Sequence, residues 1–155
     1  MQATNNNSNA QIVNDPWIIG NLPQTIDNCV AAVTVDGMVL RVIKPENQTE
    51  QICLLAVKNH GYALQFVQVQ TPDIIRTAVI SNGFAIKFAN PDLLTEELLF
   101  DLVEKNHNII YVTKCNQAIW AKAIARKPEL AKHLPTLFNH QEFLCQLIDS
   151  CPTSM

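Results

Sequence analysis

His133, His140, Cys145 and Cys151 form the only Cys/His cluster in the sequence, with spacings of 7, 5 and 6 residues. Common zinc sites draw their ligands as Cys pairs with two to four intervening residues and His pairs with three to five. These spacings do not supply such pairs, and no CxxC occurs, so no metal ligand is assigned. Cys115 with His107 could form a nucleophile and a base, but no third residue is identifiable that would orient the histidine. Asp101 and Glu104 lie at helical spacing, with Glu96 and Glu97 nearby. Paired carboxylates can act as general acid and base; at helical spacing they more simply form a solvated helix face. Motifs for phosphate loops, dinucleotide turns, nucleophile elbows and zinc hydrolases are absent. No catalytic residue, cofactor or metal site is therefore assigned, and the sequence predicts a protein that is not an enzyme.

The elements that would hold any such site come from a unit written four times. Thr25, Thr49, Thr71 and Thr95 are spaced 24, 22 and 24 residues apart. Each Thr is followed by an apolar run ending Ala32-Val33, Ala56-Val57, Ala78-Val79 or Leu102-Val103. Gly37, Gly61 and Gly83 come next, with His107 in the fourth copy. A second apolar pair closes each unit: Leu40/Val42, Leu64/Phe66, Ile86/Phe88 and Ile110/Val112. Thr at this place offers an oxygen to the free N–H groups of a helix start, and Asp27, Glu50, Asp73, Glu96 and Glu97 suit the positive helix end. Gly61 is expected to close its helix in the left-handed conformation.

The segment after each Gly has two readings. Alternation and β-propensity point to a short strand and an α/β solenoid. Ala63, Ala85 and Ala89, with the apolar pattern running on through Asn90-Pro91-Asp92-Leu93-Leu94, favour a short second helix. The favoured fold class is all-α: a short helical-repeat, solenoid-like domain with atypical capping ends.

Residues 1–11 read as a disordered tail and 12–150 as one domain. Its units lie near 25–48, 49–70, 71–94 and 95–116, with a degenerate copy at 117–138 that aligns Ile124-Ala125 on Leu102-Val103, and a C-terminal capping helix at 139–149. Asp15 to Gly20 should form a capped helical turn that sets Trp17, Ile18, Ile19 and Leu22 over the first unit.

Composition excludes several classes. The 155-residue chain is 48% hydrophobic and 16% charged, which suits a folded domain. Its net charge of −3 has the wrong sign for a dedicated nucleic-acid binder. No apolar run nears the roughly 20 residues that span a bilayer, and the polar N-terminus is unlike a signal peptide. A cytoplasmic protein is expected. The five cysteines predict no disulfide framework; Cys29 and Cys53 stand where later copies carry Ile75 and Leu99, and so read as small buried hydrophobes.

The phrases Leu55-Ala56-Val57-Lys58-Asn59-His60-Gly61-Tyr62-Ala63-Leu64-Gln65-Phe66-Val67 and Ala78-Val79-Ile80-Ser81-Asn82-Gly83-Phe84-Ala85-Ile86-Lys87-Phe88-Ala89 carry a resemblance. They are similar to a bacterial domain family of unknown function whose tandem units read Leu-x-Ala-Val-x-x-Asn-Gly-x-Ala-Leu-x-Tyr-Ala. The resemblance covers residues 25–112, with Asn106-His107-Asn108 departing from it. Such units are frequent in intracellular bacteria of amoebae and animals, including proteins proposed to enter host cells. The resemblance brings no catalytic motif. It implies an effector-like protein, or an inhibitory partner of one, in the bacterial cytoplasm or translocated into a host cell.

Function is then expected where the copies disagree. Stacked units place Met38, Tyr62, Phe84 and Asn108 in one row, and Arg41, Gln65, Lys87 and Tyr111 in another. Arg41, Tyr62, Gln65, Phe84, Lys87 and Tyr111 are the candidate partner-binding residues, with another protein as the expected partner. Two alternatives are a self-associating protein, dimerising through the Trp17 plug or the Phe143 face, and an unrecognised enzyme using Cys115 or the C-terminal His/Cys group.

Overall fold

The computed structural model describes residues 5–106, Ile109 and 117–133. Among them there is no strand, and the fold is all-α and repeat-like. Four successive α-helices have the same length of ten residues: α2 (Ile26–Val35), α3 (Glu50–Asn59), α4 (Pro72–Ser81) and α5 (Glu96–Lys105). Helix α1 (Asn5–Asn14) precedes them and α6 (Gln117–Arg126) follows.

The Thr anchors act as the sequence predicts. Oγ1 of Thr25, Thr49, Thr71 and Thr95 accepts the N–H three residues on, at 3.3, 3.3, 3.3 and 3.2 Å. Each helix buries one stripe: Cys29, Ala32 and Val33 in α2; Ile52, Cys53, Ala56 and Val57 in α3; Ile74, Ile75, Ala78 and Val79 in α4; Leu98, Leu102 and Val103 in α5.

The segment after each Gly is helical, and the strand alternative is overturned. It is a six-residue 3₁₀ helix: η2 (Gly37–Val42), η4 (Gly61–Phe66) and η5 (Gly83–Phe88), with η1 (Pro16–Gly20) ahead of them. Side chains three apart eclipse in a 3₁₀ helix, so its surface is three straight ridges. In η4 and the residue after it, 61/64/67 is buried, 63/66 is buried to half-buried, and 62/65 faces outward. The same holds for 37/40/43, 39/42 and 38/41, and for 83/86/89, 85/88 and 84/87. Two apolar ridges out of three mimic the alternation of a strand. The α-helices pack side by side in one layer, and η1, η2, η4 and η5 pack in sequence as a second layer.

The glycines have a different role from the one their position suggests. No described residue has positive φ. Each of α2 to α5 instead ends at an extended residue, Asp36, His60, Asn82 or Asn106, whose N–H donates to Ala32, Ala56, Ala78 or Leu102. Asp36 and Asn82 also cap the following 3₁₀ helix, accepting from Met38 N and Phe84 N at 2.9 and 3.0 Å. Gly is required one residue later because of crowding. A Cβ on Gly37 would lie 2.1 Å from the Ala56 carbonyl oxygen, and one on Gly61 would lie 2.6 Å from that of Ala78. Glycine lets neighbouring units touch backbone to backbone.

The unequal spacing also has a cause. The longer units hold an extra turn, η3 (Pro45–Asn47) or η6 (Pro91–Leu93), where the 22-residue unit runs directly through Val67 to Gln70. Two further expectations are corrected. Residues 5–11 belong to helix α1, not to a tail over 1–11, because fully buried Ile12 fastens that helix to the core. In α6, Ala123 and Ile124 are buried and Ala125 is exposed, so they match Leu102-Val103 at an offset of 21. Residues 139–149 lie outside the described residues.

Candidate functional site

The outward ridge of the 3₁₀ layer brings most of the predicted residues together. Arg41 is exposed, and its guanidinium carbon lies 5.1 Å from the centroid of the Trp17 ring. Lys87 is exposed, and its Nζ lies 5.4 Å from the Tyr62 ring centroid and 4.9 Å from that of Phe88. Tyr62 is half-buried and meets Phe88 edge-on at 5.9 Å. His60 tilts against Tyr62 at 6.0 Å. Gln65 is exposed and donates from Nε2 to the Tyr62 carbonyl at 3.1 Å, the eclipsed partner one 3₁₀ turn back. Phe84 is 44% exposed, a large apolar surface to leave in water. Tyr111 lies outside the described residues.

Cations over aromatic faces are attracted by the ring quadrupole, by about 0.5–1 kcal/mol at exposed sites. The contact fixes the long side chain without neutralising its charge. Among the described residues Arg41 and Lys87 form no ion pair, whereas Arg76, Lys105, Lys122 and Lys127 all do. The row therefore presents two positioned charges among partly exposed rings.

The residues with possible acid–base chemistry serve the helix layer. Asp101 accepts from Arg76 Nε at 2.7 Å and is bridged by Lys105 Nζ at 3.0 Å, while Arg76 also reaches Asp73 at 2.5 Å. Burial pushes the Asp101 carboxyl up, but hydrogen bonds and charge from Lys105 and Arg76 outweigh it and hold it below the ordinary value. Glu104 pairs with Lys127 at 3.2 Å, and Glu96 pairs with Lys122. An open cleft of about 670 Å³ lies here, between Arg76, Leu98, Phe100, Asp101 and Arg126. The Arg126 guanidinium covers the Phe100 ring at 4.4 Å.

Cys29 and Cys53 are buried, as their register predicts. Burial, with Glu50 nearby, pushes the Cys53 thiol up to about 11, and burial raises Cys29 as well. A thiol held protonated is a poor nucleophile and a poor metal ligand. No group of three metal-ligating residues occurs among the described residues. No helix among them is long and apolar enough to cross a membrane. His107, Cys115, His140, Cys145, Cys151 and the His133 side chain lie outside them.

One set of residues was missed in the sequence. Gln24, Gln48 and Gln70 each stand directly before a Thr cap, and each is half-buried. Oε1 accepts the backbone N–H twenty residues on: Lys44 at 2.8 Å, Gln68 at 3.2 Å and Asn90 at 2.8 Å. Nε2 of Gln24 and Gln70 donates to the Val42 and Phe88 carbonyls, both at 2.9 Å. Gln48 Nε2 turns to Ile43 O at 3.2 Å instead. This ladder ties the start of each unit to its neighbour and holds the 3₁₀ layer in register. Asn59 adds a clamp, accepting from Gly37 N at 2.8 Å and donating to Thr34 O at 2.9 Å.

Residues 49–94 match a family described as Domain of unknown function (DUF4116), and these residues span α3, η4, α4, η5 and η6. This agrees with an uncharacterised domain family as read from the repeated phrases. No curated protein matches the chain, and no solved structure does.

Proposed function

We propose that this protein is a non-catalytic interaction module that binds another protein along the outward ridge of its 3₁₀ layer. The observation that carries this reading is the ridge itself. Arg41, Tyr62, Phe84 and Lys87 stand exposed or half-exposed on consecutive, rigidly spaced elements, with both cations held over rings. Aromatic residues and arginine are the side chains most often found to anchor protein interfaces. Trp17 lies under the Arg41 guanidinium, which favours a charged partner over a symmetric apolar contact through Trp17.

The test is affinity capture with the intact chain, followed by titration of the purified partner against Arg41→Glu and Phe84→Ala. Each variant should weaken binding at least about tenfold, or 1.4 kcal/mol. Unchanged affinity in both variants would remove the ridge from consideration. From the family resemblance we further propose a bacterial effector, or an inhibitory partner of one, acting inside a host cell. A translocation reporter fused to the chain checks this, and retention in the bacterium counts against the effector reading.

A further inference from the structure

We infer that the 3₁₀ ridge takes an acidic, apolar-punctuated segment of a partner protein, with carboxylates meeting Arg41 and Lys87 and an apolar side chain meeting Phe84. This rests on the proposal that the ridge is the binding face, and it specifies the occupant.

Charge is segregated between the two layers. Elements η1, η2, η4 and η5 contain no Asp or Glu, and their charged residues are Arg41 and Lys87. The chain nevertheless carries 14 acidic residues against 11 basic ones. The acids concentrate on the helix layer, beginning with Asp27, Glu50, Asp73 and Glu96 in the first turns. Carboxylates flank the 3₁₀ elements: Asp15 and Asp36 stand at the N-terminal edge of η1 and η2, and Glu46 and Asp92 in the turns η3 and η6 that follow η2 and η5. Asp15 and Asp36 are turned onto backbone, accepting from Trp17 N at 3.1 Å and from Met38 N at 2.9 Å.

Two consequences point to an acidic segment. Arg41 and Lys87 occupy equivalent positions in η2 and η5 with Gln65 between them, so the carboxylates must be spaced along a chain, as on a peptide. Both cations are already held against rings, so docking costs them less side-chain entropy than it costs a free lysine or arginine. A long nucleic acid would run past two cations onto a molecule of net charge −3, which favours a short acidic segment over a polyanion.

The experiment is selection of a random peptide library on the intact chain, then anisotropy titration of synthetic peptides from the enriched pool. Enrichment of Asp and Glu around an apolar residue is expected. Affinity should fall at least about tenfold when those carboxylates become amides, and likewise in Arg41→Glu and Lys87→Glu. A peptide with lysine in place of one carboxylate should recover binding to the Arg41→Glu chain, which a merely unfolded variant could not do. Neutral or basic peptides that depend on Phe84 would overturn the acidic assignment while leaving the ridge as the binding face. An empty selection, or binders indifferent to Arg41, Phe84 and Lys87, would overturn both. Oligothymidylate bound as tightly as the peptides and lost in the same variants would replace the peptide with a nucleic acid. Dimerisation in sedimentation that Arg41→Glu abolishes would replace it with a second copy.

Discussion

The Cα of Gly37 faces the carbonyl oxygen of Ala56 in the next unit so closely that a methyl group there would stand 2.1 Å from it. That oxygen also accepts the N–H of His60, which ends helix α3, so it cannot turn away without unravelling the helix end. Gly37→Ala and Gly61→Ala should therefore cost about 1–3 kcal/mol or more, the range for forced overpacking. Gly20→Ala meets only Val42 Cβ at 3.9 Å and should stay within about 0.5 kcal/mol. Denaturant unfolding of the three variants measures the contrast; equal stabilities would remove close approach as the reason for glycine.

Removing a rung of the glutamine ladder should be felt twenty residues away. In Gln70→Ala the Asn90 N–H and the Phe88 carbonyl lose their partner, a loss of about 1–2 kcal/mol. Gln70→Glu keeps the acceptor but sets a carboxylate against the Phe88 carbonyl, and should be at least as damaging. Amide hydrogen exchange at Asn90 should speed up in Gln70→Ala. Unchanged protection would show that the rung does not hold η5 in place.

Cys53 should resist alkylation in the native protein at mildly alkaline pH and react once the chain is unfolded. Its folded thiol titrates at about 11, against an ordinary value near 9. The sign follows from linkage: between those values the unfolded state loses its proton and the folded state keeps it. Cys53 thus favours folding below pH 9, and that contribution is lost as pH rises through about 11. Stability of the wild type relative to Cys53→Ala, measured across this range, should fall. Rapid labelling of native Cys53 would contradict its burial.

The Arg76–Asp101 pair joins α4 to α5, with both side chains about one-third exposed. Solvent screening limits such a pair to roughly 0.5–1 kcal/mol. A double-mutant cycle with Arg76→Ala and Asp101→Ala should give a coupling in that range that shrinks with salt. Because the folded Asp101 carboxyl is held below its ordinary value of 3.8, its contribution is present above that pH and lost as pH falls below it. Zero coupling at low salt would mean that the bridge only decorates the surface.

The helix layer was legible because one residue type does one job at each start: four threonines cap four helices of equal length. The second layer was only half legible. Leu64 and Phe66 lie on two different 3₁₀ ridges, and two apolar ridges read like the alternation of a strand. The glycines stood out by position, yet their cause is a neighbour's backbone, which lies 19 residues from Gly37 and 17 from Gly61 in sequence. Gln24, Gln48 and Gln70 carry a visible signal, glutamine before threonine in three copies, but their partners lie twenty residues on, where no local pattern marks them. The contact of Lys87 with Tyr62 joins two rows that the sequence kept apart, and it was not legible there. Nor was that of Arg41 with Trp17, since Trp17 belongs to no unit.

The glutamine ladder also bears on how the chain is assembled. Each rung closes a loop of about the same length, so each has the same entropic cost and none waits for a distant segment. Folding can then advance unit by unit in the order of synthesis, with Gln24 satisfied once Lys44 has emerged and Gln70 once Asn90 has. Leu94 stands where the next rung would be. A ribosome-bound chain should therefore complete its last rung when residues through 90 are available.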